Sequence, residues 1–81
     1  MLKIYGTMLC KDCVACREAF DQNGVAYEYL DFSADIANLK AFLVIRDREP
    51  IFDSVKADGR IGVPCIVTPA GEVTLDWERF V

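Results

Sequence analysis

The chain has 81 residues, a formal net charge of −4, four cysteines and no histidine. That length suits one small domain, residues 1–81, with a modest core, and a 53% hydrophobic fraction argues against disorder. The acidic balance, without any basic block, disfavours binding to nucleic acid or to an anionic membrane surface through bulk charge. The lack of histidine removes Cys–His nucleophile pairs and every mixed Cys/His zinc site.

Leu2-Lys3-Ile4-Tyr5 alternates and predicts a strand ended by Gly6. From Lys11 to Gln22 the period turns helical, with Cys13, Cys16 and Phe20 on one face, and Asn23-Gly24 supplies the stop. Val25 to Leu30 is β-branched and aromatic and predicts a second strand, so strand, helix and strand form a parallel βαβ unit. Ser33 is the expected N-cap of the next helix, with Ile36, Leu39 and Leu43 as its inner stripe and Phe42 flanking. Pro50 sits where a first-turn proline belongs, and Ile51, Phe52 and Val55 predict a short second helix stopped by Gly59. Cys65 to Thr68 is a third strand, Pro69-Ala70-Gly71 a turn, and Glu72 to Leu75 an antiparallel return. Asp76 to Val81 leaves room for barely one helical turn. The order β-α-β-α-(α)-β-β predicts an α/β fold: a four-stranded mixed sheet with a parallel half, a hairpin half and flanking helices.

The opening MLKIYG enters the alternating pattern at once, without the features of a secretory signal, and no apolar run is long enough to span a bilayer. A cytoplasmic setting is therefore expected. Thiols stay reduced there, so a C-x-x-C is catalytic or metal-binding more often than structural.

Three of the four cysteines lie in MLCKDCVAC, at Cys10, Cys13 and Cys16. Cys10 falls in the loop before the first helix and Cys13 in the helix's first turn. A helix N-terminus presents free N–H groups and a partial positive charge of roughly half an elementary charge, which favours a thiolate there; Lys11 adds to it. Cys10 thus has a nucleophile's surroundings, and Cys13, one turn in, is placed to resolve a mixed disulfide. Cys16 shares the apolar face with Phe20 and is expected to be a small core residue. The second informative stretch is Arg60-Ile61-Gly62-Val63-Pro64-Cys65. A proline directly before a strand is unusual, and X-Pro bonds are where cis peptides occur. A cis Pro64 would turn the backbone N–H and C=O of Val63 toward an extended thiol substrate.

A first strand, a C-x-x-C at the next helix N-terminus and a late Val-Pro before a hairpin together resemble a glutaredoxin, within the thioredoxin-fold superfamily. Cys10-Lys11-Asp12-Cys13 stands in register with the family's Cys-Pro-Tyr-Cys, Gly24-Val25 with its helix-ending glycine and following hydrophobic residue, and Val63-Pro64 with its cis-proline segment. The resemblance covers about residues 1–30 and 59–76. It implies a thioredoxin-like, glutaredoxin-type sheet with a truncated C-terminal helix. It also implies a thiol–disulfide oxidoreductase in which Cys10 attacks and Cys13 resolves, acting as a monomer on a disulfide-containing protein substrate. No bound cofactor is implied. Glutathione, as co-substrate, or a thioredoxin-reductase-type donor would return the disulfide to the dithiol. Val63 and Pro64 would line the substrate groove, and Lys11, Arg60 and Asp76 would supply charged contacts to glutathione. Three positions depart from the family: Thr7 stands where it has Lys, Gly62 where it has Thr, and Thr74-Leu75 where it has two glycines. They imply that glutathione serves poorly and that a dithiol donor serves better.

Two rivals come from other classes. Cys10, Cys13, Cys16 and Cys65 are enough for a four-cysteine metal or iron–sulfur module, with a ferredoxin-like C-x-x-C-x-x-C spacing. A non-catalytic adaptor of the same fold is the third reading. The helical placement of Cys16 argues against the first, and the intact dithiol against the second.

Overall fold

The computed structural model describes residues Met1–Val81. Four strands, β1 (Leu2–Gly6), β2 (Tyr27–Asp31), β3 (Cys65–Val67) and β4 (Val73–Thr74), form one mixed sheet in the order β2-β1-β3-β4. β1 runs parallel to β2, with Ile4 beside Tyr29, and antiparallel to β3, with Tyr5 beside Cys65. β3 and β4 are antiparallel. Three helices complete the α/β architecture: α1 (Lys11–Gln22), α2 (Ile36–Arg48) and α3 (Asp53–Ala57). A 3₁₀ turn at Pro50–Phe52 leads into α3, and a second, Trp77–Phe80, ends the chain. None of the helices is long and apolar enough to cross a membrane.

Successive residues of a strand point to opposite faces, so the sheet separates two cores. On one face Tyr5 and Cys65 pack with Phe42, Phe52 and Val55 beneath α2 and α3. On the other, Ile4 and Ile66 pack with Cys16 and Phe20 of α1. The helix face expected from sequence is therefore the buried one, and Cys13, Cys16 and Phe20 are fully enclosed. The C-terminal 3₁₀ turn closes this second core: Trp77 and Phe80 each meet Phe20 edge-on, with centroids 6.3 Å away.

Both ends of α1 follow local rules. Its C-terminus is a Schellman turn: Val25 N–H donates to the Phe20 carbonyl at 2.9 Å, and Gly24 adopts φ +66°. α3 ends the same way at Gly59, where Arg60 N–H donates to the Val55 carbonyl at 2.8 Å.

α2 departs from expectation in two respects. Its N-cap is Asp35, whose carboxylate accepts from Ala37 N–H at 2.9 Å, and not Ser33. Ser33 is taken up in the preceding turn, where its N–H and hydroxyl donate to Asp31 at 2.8 and 2.6 Å. The inward stripe is Leu39, Phe42 and Ile45, whereas Ile36 and Leu43 are exposed. Phe42 anchors that register through Phe32, Phe52 and Tyr5, at centroid distances of 5.4, 5.9 and 6.3 Å. The second strand begins at Tyr27, two residues later than expected, because Val25 is spent in the Schellman turn.

Candidate active site

Cys10 occupies the N-cap position of α1 in extended conformation (φ −103°, ψ 127°), and its carbonyl accepts the first helical bond from Val14 N–H at 3.1 Å. The loop before it is fastened by Thr7. The Thr7 carbonyl accepts from Cys10 N–H at 3.2 Å, and its hydroxyl accepts from Leu9 N–H at 3.3 Å and shares a 2.9 Å hydrogen bond with Ser33. Thr7 is itself buried, and its hydrogen bonds tie two loops together.

The Cys10 side chain is half-buried on the wall of a cleft of about 540 Å³. Across from α1 the cleft is walled by residues 59–64, with Val63 and Pro64 among them, and by Leu75, Trp77 and Glu78. The Val63–Pro64 peptide bond is cis. The Val63 N–H and C=O enter none of the chain's hydrogen bonds. Arg46 of α2 holds this wall from behind: its Nε donates to the Ile61 carbonyl at 2.8 Å and its Nη2 to the Arg60 carbonyl at 2.7 Å. Gly62, at φ +92°, lets the wall lie against the core, because a Cβ there would stand 2.7 Å from the Phe52 ring.

Cys13 lies one turn behind Cys10, fully buried. Burial is the main cause that pushes its thiol up from 9.0 to about 11; the adjacent Cys10 sulfur adds to this, and the Thr7 backbone N–H and the Tyr29 hydroxyl act the other way. Cys16 and Cys65 are each pushed up to about 12, again chiefly by burial. All four cysteines are free thiols. A half-buried sulfur thus stands in front on the cleft wall and a fully enclosed one behind it.

Of the residues expected at the site, Cys10, Arg60, Val63 and Pro64 line the cleft, and Cys13 sits behind it. Lys11 and Asp76 do not line it. Lys11 is the first residue of α1 and is exposed, and the Asp76 N–H is turned back onto the Thr74 hydroxyl at 3.1 Å. Arg60 is paired with Asp58 at 3.0 Å. Sequence reasoning missed the carboxylates of Asp12 and Glu78, which line the cleft without a salt-bridge partner, and the clamp from Arg46. The four cysteines of the metal-module reading are not gathered: Cys16 and Cys65 lie in separate cores on opposite faces of the sheet, and no three Cys, Asp or Glu side chains form a cation-holding group.

No family model matches the chain, and no solved structure matches it. An uncharacterized protein of Haemophilus influenzae (strain ATCC 51907 / DSM 11121 / KW20 / Rd) is 36% identical over 71 residues, covering 88% of this chain and 83% of the relative. By that similarity, the chain belongs to the same family as the Haemophilus influenzae protein.

Proposed function

We propose that the protein is a thiol–disulfide oxidoreductase of the glutaredoxin-like, thioredoxin-fold kind. The observation that carries the reading is the pairing of a cleft-wall cysteine at a helix N-cap with an enclosed cysteine one turn behind it. The strand order and the position of Val63-Pro64 on the facing wall support it. The Cys10 thiolate attacks a substrate disulfide and forms a mixed disulfide while one substrate thiolate leaves. Cys13 then attacks the Cys10 sulfur, releasing the second substrate thiol and leaving a Cys10–Cys13 disulfide. The unpaired N–H and C=O of Val63 offer an extended substrate strand a backbone partner.

The charges of the cleft bear on the donor that restores the dithiol. Glutathione is a small anionic tripeptide. Here it meets Asp12 and Glu78, while the one cation of the lining, Arg60, is already paired with Asp58. Loss of a charge-assisted contact costs about 1.5–3 kcal/mol, roughly tenfold or more in affinity. Glutathione is therefore the poorer donor, and a thioredoxin-reductase-type dithiol the better one.

The test is steady-state reduction of a model disulfide with each donor in turn. Cys10→Ser abolishes turnover, Cys13→Ser accumulates a stable mixed disulfide, and the reductase-linked assay outpaces the glutathione-linked one. Retained activity in Cys10→Ser refutes the reading. Efficient turnover with glutathione alone refutes the donor assignment.

A further inference from the structure

Behind the two cysteines one buried polar group has no partner. The Tyr29 hydroxyl, on β2, is sealed from solvent and makes no hydrogen bond. Buried hydroxyls are normally satisfied, and an orphan calls for a reason. Its neighbour across Gly6 is the Cys13 sulfur: a Cβ placed on Gly6 would lie 2.8 Å from Cys13 Sγ and 2.9 Å from the Tyr29 oxygen. The absent side chain at Gly6 thus leaves one small space into which both groups point. Arg17 holds the tyrosine ring from the solvent side, its guanidinium carbon 4.4 Å from the ring centroid. That guanidinium is itself fixed by the Tyr27 hydroxyl and by Met8 Sδ, each at 3.3 Å.

We propose that Tyr29 is a positioning residue for Cys13, its hydroxyl donating a hydrogen bond to the Cys13 thiolate in the step that resolves the mixed disulfide. The proposal rests on the dithiol reading above. With Cys13 protonated, a thiol is a weak acceptor and the hydroxyl stays orphaned. Once the Cys13 proton departs, the hydroxyl faces a buried anion, and a hydrogen bond to the charged form favours that form. The tyrosine keeps its own proton throughout, since burial and the adjacent Cys13 raise its pKa. The balance is simple. Cys13 S⁻ displaces the substrate thiolate from Cys10, that thiolate takes up the proton Cys13 released, and two electrons pass from the dithiol to the substrate. Other groups act on Cys13 as well: Cys10 raises its pKa and the Thr7 N–H lowers it, with Cys16 further along the same helix and Asp31 and Arg17 acting on Tyr29.

The expected size follows from thiol chemistry. For a thiol whose pKa lies well above the ambient pH, lowering it by one unit raises the thiolate fraction roughly tenfold. Nucleophilicity falls about threefold at a Brønsted slope of about 0.4–0.5, so resolution gains roughly threefold.

Tyr29→Phe is the variant of choice: it keeps the ring beneath Arg17 and removes only the unpartnered hydroxyl, and far-UV circular dichroism checks the fold. The first measurement is the ¹³C shift of Cys13 Cβ from pH 7 to 10.5 in the Cys10→Ser background, with and without Tyr29→Phe. The onset of thiolate formation is expected to move up by about one pH unit. The second is single-turnover reduction of a chromogenic disulfide in the Cys10-intact protein, where mixed-disulfide formation is unchanged and its resolution slows roughly threefold. An onset that stays put or moves down overturns the proposal, even in a protein that turns over normally. A moved onset in a protein that reduces no disulfide at all overturns the dithiol reading instead, leaving the Tyr29–Cys13 hydrogen bond standing.

Discussion

At the scale of single residues, the site depends on side chains that are missing as much as on those present. Gly6 leaves room for the Cys13 sulfur and the Tyr29 hydroxyl, and Gly62 for the Phe52 ring. Alanine at position 6 would press its Cβ on both polar atoms, and overpacking of this kind costs about 1–3 kcal/mol. Gly6→Ala is therefore expected to lower the urea midpoint and to slow resolution more than attack, since Cys13 and not Cys10 is displaced; equal slowing of both steps would contradict this. The same residues mark what the sequence could and could not tell. Cys10 and Cys13 were legible because the helical period starts at Lys11 and fixes where each stands relative to the helix N-terminus. Val63 and Pro64 were expected at the site from the glutaredoxin resemblance, since a proline before a strand taken alone reads as an ordinary trans proline. Lys11 was expected from its place beside Cys10 at the helix N-terminus and Asp76 from the resemblance to the glutaredoxins, and neither lines the cleft. Asp12 and Glu78 gave no local signal, because exposed carboxylates are ordinary and only the fold brings these two to one cleft.

Among the elements, α1 and α2 differ instructively. In α1 Cys13, Cys16 and Phe20 share one face, and Phe20 is the only large apolar residue in a C-terminal half that also holds Arg17, Glu18, Asp21 and Gln22, so that face turns inward. In α2 the run Ala41-Phe42-Leu43-Val44-Ile45 offers several apolar registers, and the sequence gives no ground for choosing among them. The aromatic cluster around Phe42 makes that choice, which is a tertiary effect. The choice of register also sets Arg46 against the Arg60–Ile61 backbone. Two exposed hydrogen bonds contribute about 1 kcal/mol or a little more to stability, but they fix the segment that carries Val63. Arg46→Ala is expected to raise KM for a peptide disulfide several-fold while the reactivity of Cys10 toward a small alkylating agent stays within twofold. A fall in Cys10 alkylation equal to the rise in KM would mean that the clamp supports the whole site and not the far wall.

For the molecule as a whole, three enclosed thiols couple its stability to pH. Cys13 is pushed up to about 11 and Cys16 and Cys65 to about 12, whereas their ordinary value is 9.0. Above pH 9 the unfolded chain releases these protons first, so it binds fewer than the folded one and stability falls with rising pH. The stabilisation is complete below pH 9 and is lost as pH climbs through 11 to 12. Each thiol contributes up to about 1.4 kcal/mol per pH unit within that window. Urea unfolding of the reduced protein should give a flat midpoint between pH 7 and 8 and a steep decline from pH 9 upward. Cys16→Ala should make the decline shallower while costing on the order of 1 kcal/mol at neutral pH. An unchanged slope in that variant would show that the Cys16 thiol does not titrate differently in the two states.

Trp77, the chain's single tryptophan, stands on two boundaries at once. One side of its ring covers Phe20 in the core beneath α1, and the residue also lines the cleft that holds Cys10. The protein therefore carries its own fluorophore at the junction of fold and site. Denaturation removes the aromatic packing around it, occupancy of the cleft changes its exposure to water, and the proposed Cys10–Cys13 disulfide would bring a quencher to the cleft wall that holds Cys10. Stability, binding and redox state are all readable in one emission spectrum from the unlabelled chain.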